Sequence, residues 1–322
     1  MRQVRLGQTN LQVSAIAFGT WAFGGDWGAT DLQEGKHIIQ HALELGINLF
    51  DTAQGYGFGV AEQLLADALR GRTKREDVVI ATKGGLRMDG DRLLRDASRQ
   101  SLRDGVESSL RNLGTDYIDI YHLHWPDLHT PPEETAEVLE ELVGEGKIRH
   151  AGVSNYDADQ MRALGRFGRV ETLQPPYHLF RRDIEDTILP FTTERDIGVL
   201  VYGPMAHGLL SGRMTESMTF DPDDWRSKSP DFAGETFRQN LAVAERLKGL
   251  ARERGMSLPQ LAVAWTLTNP AVDVAIVGAR RPAPLEETAT AADLEVSAAD
   301  LQEIDAILAD ALPVWGPHPE GM

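Results

Sequence analysis

The sequence predicts an α/β chain folded as a closed (β/α)8 TIM barrel with an N-terminal β-hairpin, a long loop after the seventh strand and an extra C-terminal helix. Eight short apolar runs recur along the 322 residues. A segment of helical periodicity follows each run, and strand–helix alternation implies a parallel sheet with right-handed crossovers. Eight such units over this length close into a barrel more naturally than they spread into an open sheet. Residues 1–322 are therefore expected to form one domain.

The predicted strands are Ser14–Phe18, Ile47–Asp51, Val78–Lys83, Ile118–His124, His150–Ser154, Val170–Gln174, Gly198–Tyr202 and Val274–Gly278. Ahead of them, Gly7-Gln8-Thr9-Asn10 is a turn between two short strands, read as a hairpin plugging the barrel bottom. Helix starts are signalled by Asp31 with Glu34, by Thr130 before Pro131, and by Ser257 with Gln260. Gly46, Gly114, Gly144 and Gly146 stand where a glycine follows a helix. Residues 213–240 are polar and rich in Pro, Gly and Asp, and read as a functional or mobile loop. The tail from Leu312 carries three prolines and Trp315, and is expected to fold back over a surface.

Forty-nine acidic against 32 basic residues leave a net charge of −17. Such a surface repels phosphate backbones and anionic lipid, which argues against nucleic-acid and membrane partners. Without cysteine there is no disulfide, thiolate metal site or Cys nucleophile. The N-terminus lacks the apolar core of a signal peptide, and no run of ~18 apolar residues can span a bilayer. A cytoplasmic location is the expectation.

Barrels of this kind build their sites at the C-terminal strand ends. There the runs end in Asp51, Lys83, His124, Ser154-Asn155, Gln174 and Tyr202, and the eighth in Gly278 with Arg280 and Arg281 close behind. Tyr56 lies in a glycine-rich loop just after Asp51. A free phenol, with a pKa near ~10, is a poor acid at neutral pH, and a neighbouring ammonium lowers that value. Lys83 can supply the ammonium, Asp51 can hold Lys83, and His124 can donate to a substrate oxygen. Together they suit protonation of a carbonyl oxygen as it gains negative charge, with no metal required.

On these residues the chain resembles the aldo-keto reductase superfamily. The matching stretches, running from Leu6 to Leu308, are Gly19-Thr-Trp21, Asp51-Thr-Ala-x-x-Tyr56-Gly, Ala81-Thr-Lys83, Asp116 through His124-Trp-Pro, Gly152-Val-Ser-Asn155, and Tyr202-Gly-Pro-Met-Ala-His-Gly208-Leu-Leu-Ser-Gly212. The opening from Gly19 to Gly25 is similar to bacterial members grouped with inositol-cluster and general-stress reductases. The resemblance implies a catalytic tetrad of Asp51, Tyr56, Lys83 and His124, with Tyr56 the general acid in reduction. It implies NADPH across the barrel mouth, with NADH binding more weakly, and a small-molecule carbonyl substrate. Ser154, Asn155 and Gln174 would hold the carboxamide and Tyr202 would stack on the nicotinamide. Gly19, Thr20 and Trp21 would border the cofactor, and Gly203, Pro204, Met205, Gly208, Ser211 and Arg213 would wrap the pyrophosphate. Gly278, Arg280, Glu287 and Thr288 would meet the adenosine end, with Arg280 on the 2′-phosphate. Pro284 and Thr288 depart from the Arg or Gln and the Asn that family members commonly carry there. Trp21 and Trp125, with Tyr56 and His124, would wall the substrate pocket, whereas Trp225 has no assigned role.

Two other readings compete. Family members related to potassium-channel β subunits bind the cofactor and act mainly as regulators, so an NADPH-binding sensor with little turnover is the alternative. His122 and His124, two apart on one strand, face the same side and evoke a metal-dependent hydrolase. Further ligands are missing: His150 is at the wrong strand end, His178 lies beyond the sixth strand, and His37 and His41 are on the first helix. His122 is instead expected inside the barrel below His124. Gly55-Tyr-Gly57-Phe-Gly59 fails as a Rossmann fingerprint, because Val60 stands at the third glycine position.

Overall fold

A computed structural model describes residues 1–28, 30–90 and 92–319. Strands β1 (Gln3–Arg5) and β2 (Gln12–Ser14) pair antiparallel as the N-terminal hairpin. The barrel strands are β3 (Ile16–Gly19), β4 (Leu49–Asp51), β5 (Val79–Gly84), β8 (Ile118–Leu123), β9 (Ile148–Ser154), β10 (Thr172–Gln174), β11 (Gly198–Tyr202) and β12 (Val274–Val277). They pair in that order, each parallel to the next, and β12 closes on β3. The eight expected strands are all present, most with ends shifted by one or two residues. Ser14 belongs to the hairpin rather than to the first barrel strand.

Between β5 and β8 an antiparallel pair intervenes, β6 (Leu86–Asp89) and β7 (Arg92–Arg95). Neither strand is among the eight expected from the sequence. The helices are α1 (Leu32–Glu44), α2 (Val60–Leu69), α3 (Arg99–Leu113), α4 (Pro132–Gly144), α5 (Ala158–Leu164), α6 (Ile188–Glu194), α7 (Gly234–Glu253), α8 (Leu258–Thr266), α9 (Pro282–Ala289) and α10 (Ala298–Leu308). The last of these packs on α7.

Two apolar layers follow from the period of two along each strand. Ala17, Leu49, Val79, Ala81, Ile120, Leu200, Val274 and Ile276 fill the barrel, and Leu6, Leu11 and Val13 of the hairpin join them. The hairpin therefore plugs the bottom, as expected. Its tight seat needs glycine at position 7, whose backbone is left-handed (φ 46°) and where a Cβ would overlap the Gly198 backbone. The alternate residues, among them Ile16, Phe18, Phe50 and Ile80, pack outward against the helices. Each fully buried aliphatic side chain contributes about 1.5–3 kcal/mol.

Local signals set most helix starts. Asp31 caps α1 by accepting from Gln33 N and Glu34 N, and Ser257 with Gln260 forms the full capping box of α8. Two expectations are corrected. Helix α4 begins at Pro132, one residue late, because the Thr130 hydroxyl donates to Asp127 at 2.6 Å instead of capping. Gly144 is the last residue of α4, and the left-handed turn falls at Gly146 (φ 74°).

The loop after β11 is shorter than expected, since α7 already starts at Gly234; short 3-10 turns at Trp225–Lys228 and Pro230–Phe232 occupy much of it. The tail does fold back. Leu312 bonds Asn240, Val314 N donates to Phe180 O, and Trp315 N donates to Asp231. It runs over the C-terminal end of the barrel as far as the described residues go, and residues 320–322 of the expected tail lie outside them. Among the described residues no helix is long and apolar enough to cross a membrane.

Candidate active site

The same period of two that stacks apolar residues inside the barrel delivers polar ones to its upper rim. Asp51 stands two after Leu49, Lys83 two after Ala81, Gln174 two after Thr172 and Tyr202 two after Leu200. Lys83, 1% exposed, donates to both Asp51 oxygens at 2.7 and 2.9 Å and to Thr52 O at 2.7 Å. Its ammonium also lies 3.3 Å from the Tyr56 hydroxyl oxygen. That oxygen accepts from Lys83, so the phenolic hydrogen is left for another acceptor. His124 packs edge-on to the Tyr56 ring at 5.6 Å, and its Nδ1 is buried without a partner. The four residues expected to act together converge.

The electrostatics correct one expectation. Burial first, and then the charge of Asp51, hold the Tyr56 phenol well above its ordinary value. Lys83 does not bring it below that value, because burial and Asp51 outweigh the ammonium that contacts the phenol. Burial pulls the Lys83 amine down, and Asp51 partly offsets that. Burial together with the charge of Lys83 keeps His124 neutral. The group is thus a protonated phenol beside a neutral imidazole, with an ion pair beneath. A phenol so held releases its proton only to a strong base, and an alkoxide forming against it is one.

Tyr56 and His124 face a cavity of about 510 Å³ over the barrel mouth. Asp51, Gly19, Trp21, Trp125, Ser154, Asn155, Gln174, Tyr202, Gly203, Pro204, Met205, Gly208, Ser211, Arg213, Gly278 and Arg280 all line it. Ser154 Oγ donates to Gln174 O, Asn155 Nδ2 donates to His124 O, and the Tyr202 hydroxyl donates to Asn155 Oδ1 at 2.8 Å. Gln174 Nε2 donates to Asp51 Oδ2 at 2.8 Å. Neutral amides therefore gather at the Tyr56 end. Arg213, Arg226, Arg280 and Arg281 border the cavity, with Arg226 paired to Asp224 and Arg280 donating to Trp27 O. Amides at one place and guanidiniums at another suit a molecule with a carboxamide and phosphates. The residues present fit a nicotinamide dinucleotide.

Three expected contacts fall elsewhere. Thr20 is buried, and its hydroxyl donates to Asp51 O at 3.1 Å. Thr288 bonds back within α9 to Pro284 O at 2.9 Å. Glu287 lies on the same helix outside the cavity. Pro284, by contrast, does line it.

Other lining residues were missed. Leu86 and Leu93 come from the β6–β7 pair, whose signal was the Asp89-Gly90 turn. Trp27 and His207 surround Trp21 at 5.0 and 6.3 Å, and Trp225, outside the cavity lining, stacks on Trp21 at 6.4 Å. Pro317 and Pro319 come from the tail, where His318 packs on Trp125 at 5.4 Å. No local pattern marks a tail residue as a lining residue. Asp26, in the loop before α1, accepts from Trp21 Nε1 at 2.9 Å and fixes that indole against Tyr56.

His122 sits buried inside the barrel, bonded to Thr172 at 3.0 Å and pushed down to about 3 by burial and by Lys83. His150 bonds Glu171 and Asn10 at the barrel bottom, and His41 pairs with Glu44 and Glu286. His178 lies against His207 at 5.8 Å. Among the described residues no three His, Asp or Glu side chains are grouped so as to hold a metal ion.

Residues 15–309 match the aldo/keto reductase family. The chain is 41% identical to the aldo-keto reductase YhdN of Bacillus subtilis (strain 168), over 97% of this chain and 95% of that protein. It is 36% identical to the NADH-specific methylglyoxal reductase of Escherichia coli (strain K12), over 93% and 96% of the two chains. Among solved structures, the glycerol dehydrogenase AKR11B4 from Gluconobacter oxydans superposes with a TM-score of 0.89 at 38% identity, covering 98% of this chain and 97% of that one.

Proposed function

The chain belongs to the aldo/keto reductase family, and from that premise we propose that it reduces an aldehyde or ketone to an alcohol with NADPH, Tyr56 acting as general acid. When bound, the reduced nicotinamide supplies the hydride that adds to the carbonyl carbon. The residues of this chain do the rest. His124 donates a hydrogen bond to the carbonyl oxygen and orients it toward Tyr56. As negative charge reaches that oxygen, the Tyr56 hydroxyl gives up its proton, and the alcohol is complete. Lys83, bonded to the phenol oxygen, stabilises the phenolate left behind until solvent restores the proton. Asp51 keeps Lys83 charged and aimed. Trp21, Trp125, Leu86 and Leu93 exclude water and favour a substrate with an apolar body.

Ser154, Asn155 and Gln174 would hold the carboxamide, Tyr202 would stack on the nicotinamide, and the Gly203 to Arg213 loop would hold the pyrophosphate. Arg280 would take the 2′-phosphate, which is the basis for preferring NADPH to NADH. The observation that carries the reading is the Lys83 ammonium held between Asp51 and the Tyr56 hydroxyl at the floor of one large cavity.

The test is a titration with NADPH and, separately, NADH, with a chelator present and intrinsic tryptophan fluorescence as readout. Trp21 and Trp27 line the cavity, so binding should quench them. Saturable quenching, tighter with NADPH, followed by turnover of small aldehydes, is the expected result. Binding of neither dinucleotide would overturn the reading. Tight binding with negligible turnover of every carbonyl would replace it with a regulatory role.

A further inference from the structure

Glu62, on α2 just outside the barrel wall, is fully buried. Its Oε1 accepts from the Thr82 hydroxyl at 2.7 Å and its Oε2 from Asn112 Nδ2 at 2.9 Å. Neither partner is a cation, and among the described residues Glu62 makes no ion pair. A carboxylate in such a place is costly unless a charge nearby compensates it. Thr82 and Lys83 are neighbours on β5 and point to opposite faces of the wall. The carboxylate and the catalytic ammonium therefore back onto each other through one strand.

The contacts around Glu62 also hold the loop that carries Tyr56. That loop is strung between Gln54 N, which donates to Lys83 O at 3.0 Å, and the start of α2, where Ala61 N donates to Tyr56 O at 3.2 Å. Asn112 of α3 sits so close beneath Gly59 that a Cβ there would meet its Nδ2 at 2.7 Å. One carboxylate thus ties together the Lys83 strand, the Tyr56 loop and α3.

We propose that Glu62 is a positioning residue for the carbonyl reduction, clamping the Tyr56 loop to the Lys83 strand and placing a second negative charge behind Lys83. The proposal rests on the reductase reading above. The other titratable groups facing Lys83 are Asp51 on β4, Tyr56 in the loop, and His122 and His124 toward β8; Tyr121 of β8 faces Glu62. Both histidines are held neutral, so two carboxylates balance one ammonium. The charge of Glu62 adds to that of Asp51 in favouring the Lys83 ammonium, against its burial.

The test compares Glu62→Gln with Thr82→Val, following kcat/KM for reduction against pH. Removing the charge makes Lys83 lose its proton more easily. In Glu62→Gln the alkaline fall in rate should therefore move to lower pH, by about one unit for a full charge across a barrel wall. Thr82→Val removes a contact and keeps the charge, so it should lower Tm and leave the alkaline fall in place. An unmoved fall in Glu62→Gln, whatever happens to kcat, overturns the proposal, as does an equal shift in both variants. Should Glu62→Gln not fold, Glu62→Asp takes its place. There an unmoved fall with a lower Tm supports the proposal, and a downward shift overturns it. Lysine Cε NMR, with Lys83→Met to assign the signal, reads the same ionisation without turnover. An inactive wild-type enzyme would thus count against the reductase reading alone.

Discussion

Asp51→Asn removes one charge at almost no change of shape, in a place where the structure leaves little room for repair. Both Asp51 oxygens accept, from the ammonium of Lys83 on one side and from Gln174 Nε2 on the other. An asparagine has one oxygen and one NH2 group, so one of those donors must face another donor. Lys83 is 1% exposed, and water cannot replace the lost partner. Breaking a buried pair in this way costs about 3–5 kcal/mol. With an unfolding entropy of about 2 cal/mol/K per residue, that is a loss of about 4–7 °C in Tm for a chain of this length.

The size of the loss should depend on pH in a known direction. Burial already depresses the Lys83 amine, and without Asp51 it falls further. The folded variant then binds fewer protons than its unfolded chain over a wider alkaline span. Its stability relative to wild type rises with pH, and the deficit should be smaller at pH 9 than at pH 6. kcat should fall about 10²–10⁴-fold, because Lys83 is no longer held in place beside Tyr56. Differential scanning fluorimetry at the two pH values, with steady-state kinetics, measures all three effects. A variant melting within about 1 °C of wild type at both pH values would refute the reasoning, since the ion pair would then not hold the site together.

Three further expectations follow from other contacts. Asp273 accepts from Val199 N at the barrel bottom, and burial pushes its carboxyl up to about 6. A raised carboxyl favours folding while it is protonated, and this advantage is lost as pH rises from about 4 through 6. Asp273→Asn, which keeps the acceptor, should therefore raise Tm at pH 8 and not at pH 4.5; an equal gain at both would point to packing instead. Arg280→Ala should weaken NADPH binding by about 10–100-fold and NADH by much less, measured by fluorescence titration, and equal losses would put the 2′-phosphate elsewhere. Gly84→Ala would drive a methyl into the Tyr121 hydroxyl, which is wedged between Gly84 and Gly105. It should cost about 1–3 kcal/mol or more in chemical denaturation, and a neutral effect would mean that Tyr121 can move.

The barrel was legible because its signal is local and repeated. Leu49-x-Asp51, Ala81-x-Lys83 and Leu200-x-Tyr202 each place an apolar residue in the barrel and a polar one at its rim, and the period of two needs no partner to be read. The hairpin plug was legible from its turn, Gly7-Gln8-Thr9-Asn10, between two short strands. What escaped was mostly set by contacts distant in sequence. Glu62 lies on an amphipathic helix, where a glutamate normally faces water, and only Thr82 and Asn112 show that it does not. Thr20 adjoins the rim motif, yet its hydroxyl turns to the Asp51 carbonyl. The lowered tyrosine pKa was inferred from Lys83 alone, whereas the structure weighs Asp51 and burial against it. Pro317 and Pro319 reach the cavity only because Val314 and Trp315 are tied to Phe180 and Asp231.

Tyr56→Phe tests the central claim most directly. It removes one oxygen from the cavity floor and leaves the amides and arginines proposed for the cofactor untouched. Measured on the same preparation, NADPH affinity by fluorescence titration should stay within about twofold of wild type. Carbonyl reduction by single-turnover kinetics should fall at least about 10²-fold, the scale of a lost general acid. A variant that binds NADPH normally and still reduces carbonyls at close to the wild-type rate would contradict the account, since the proton would then come from another group.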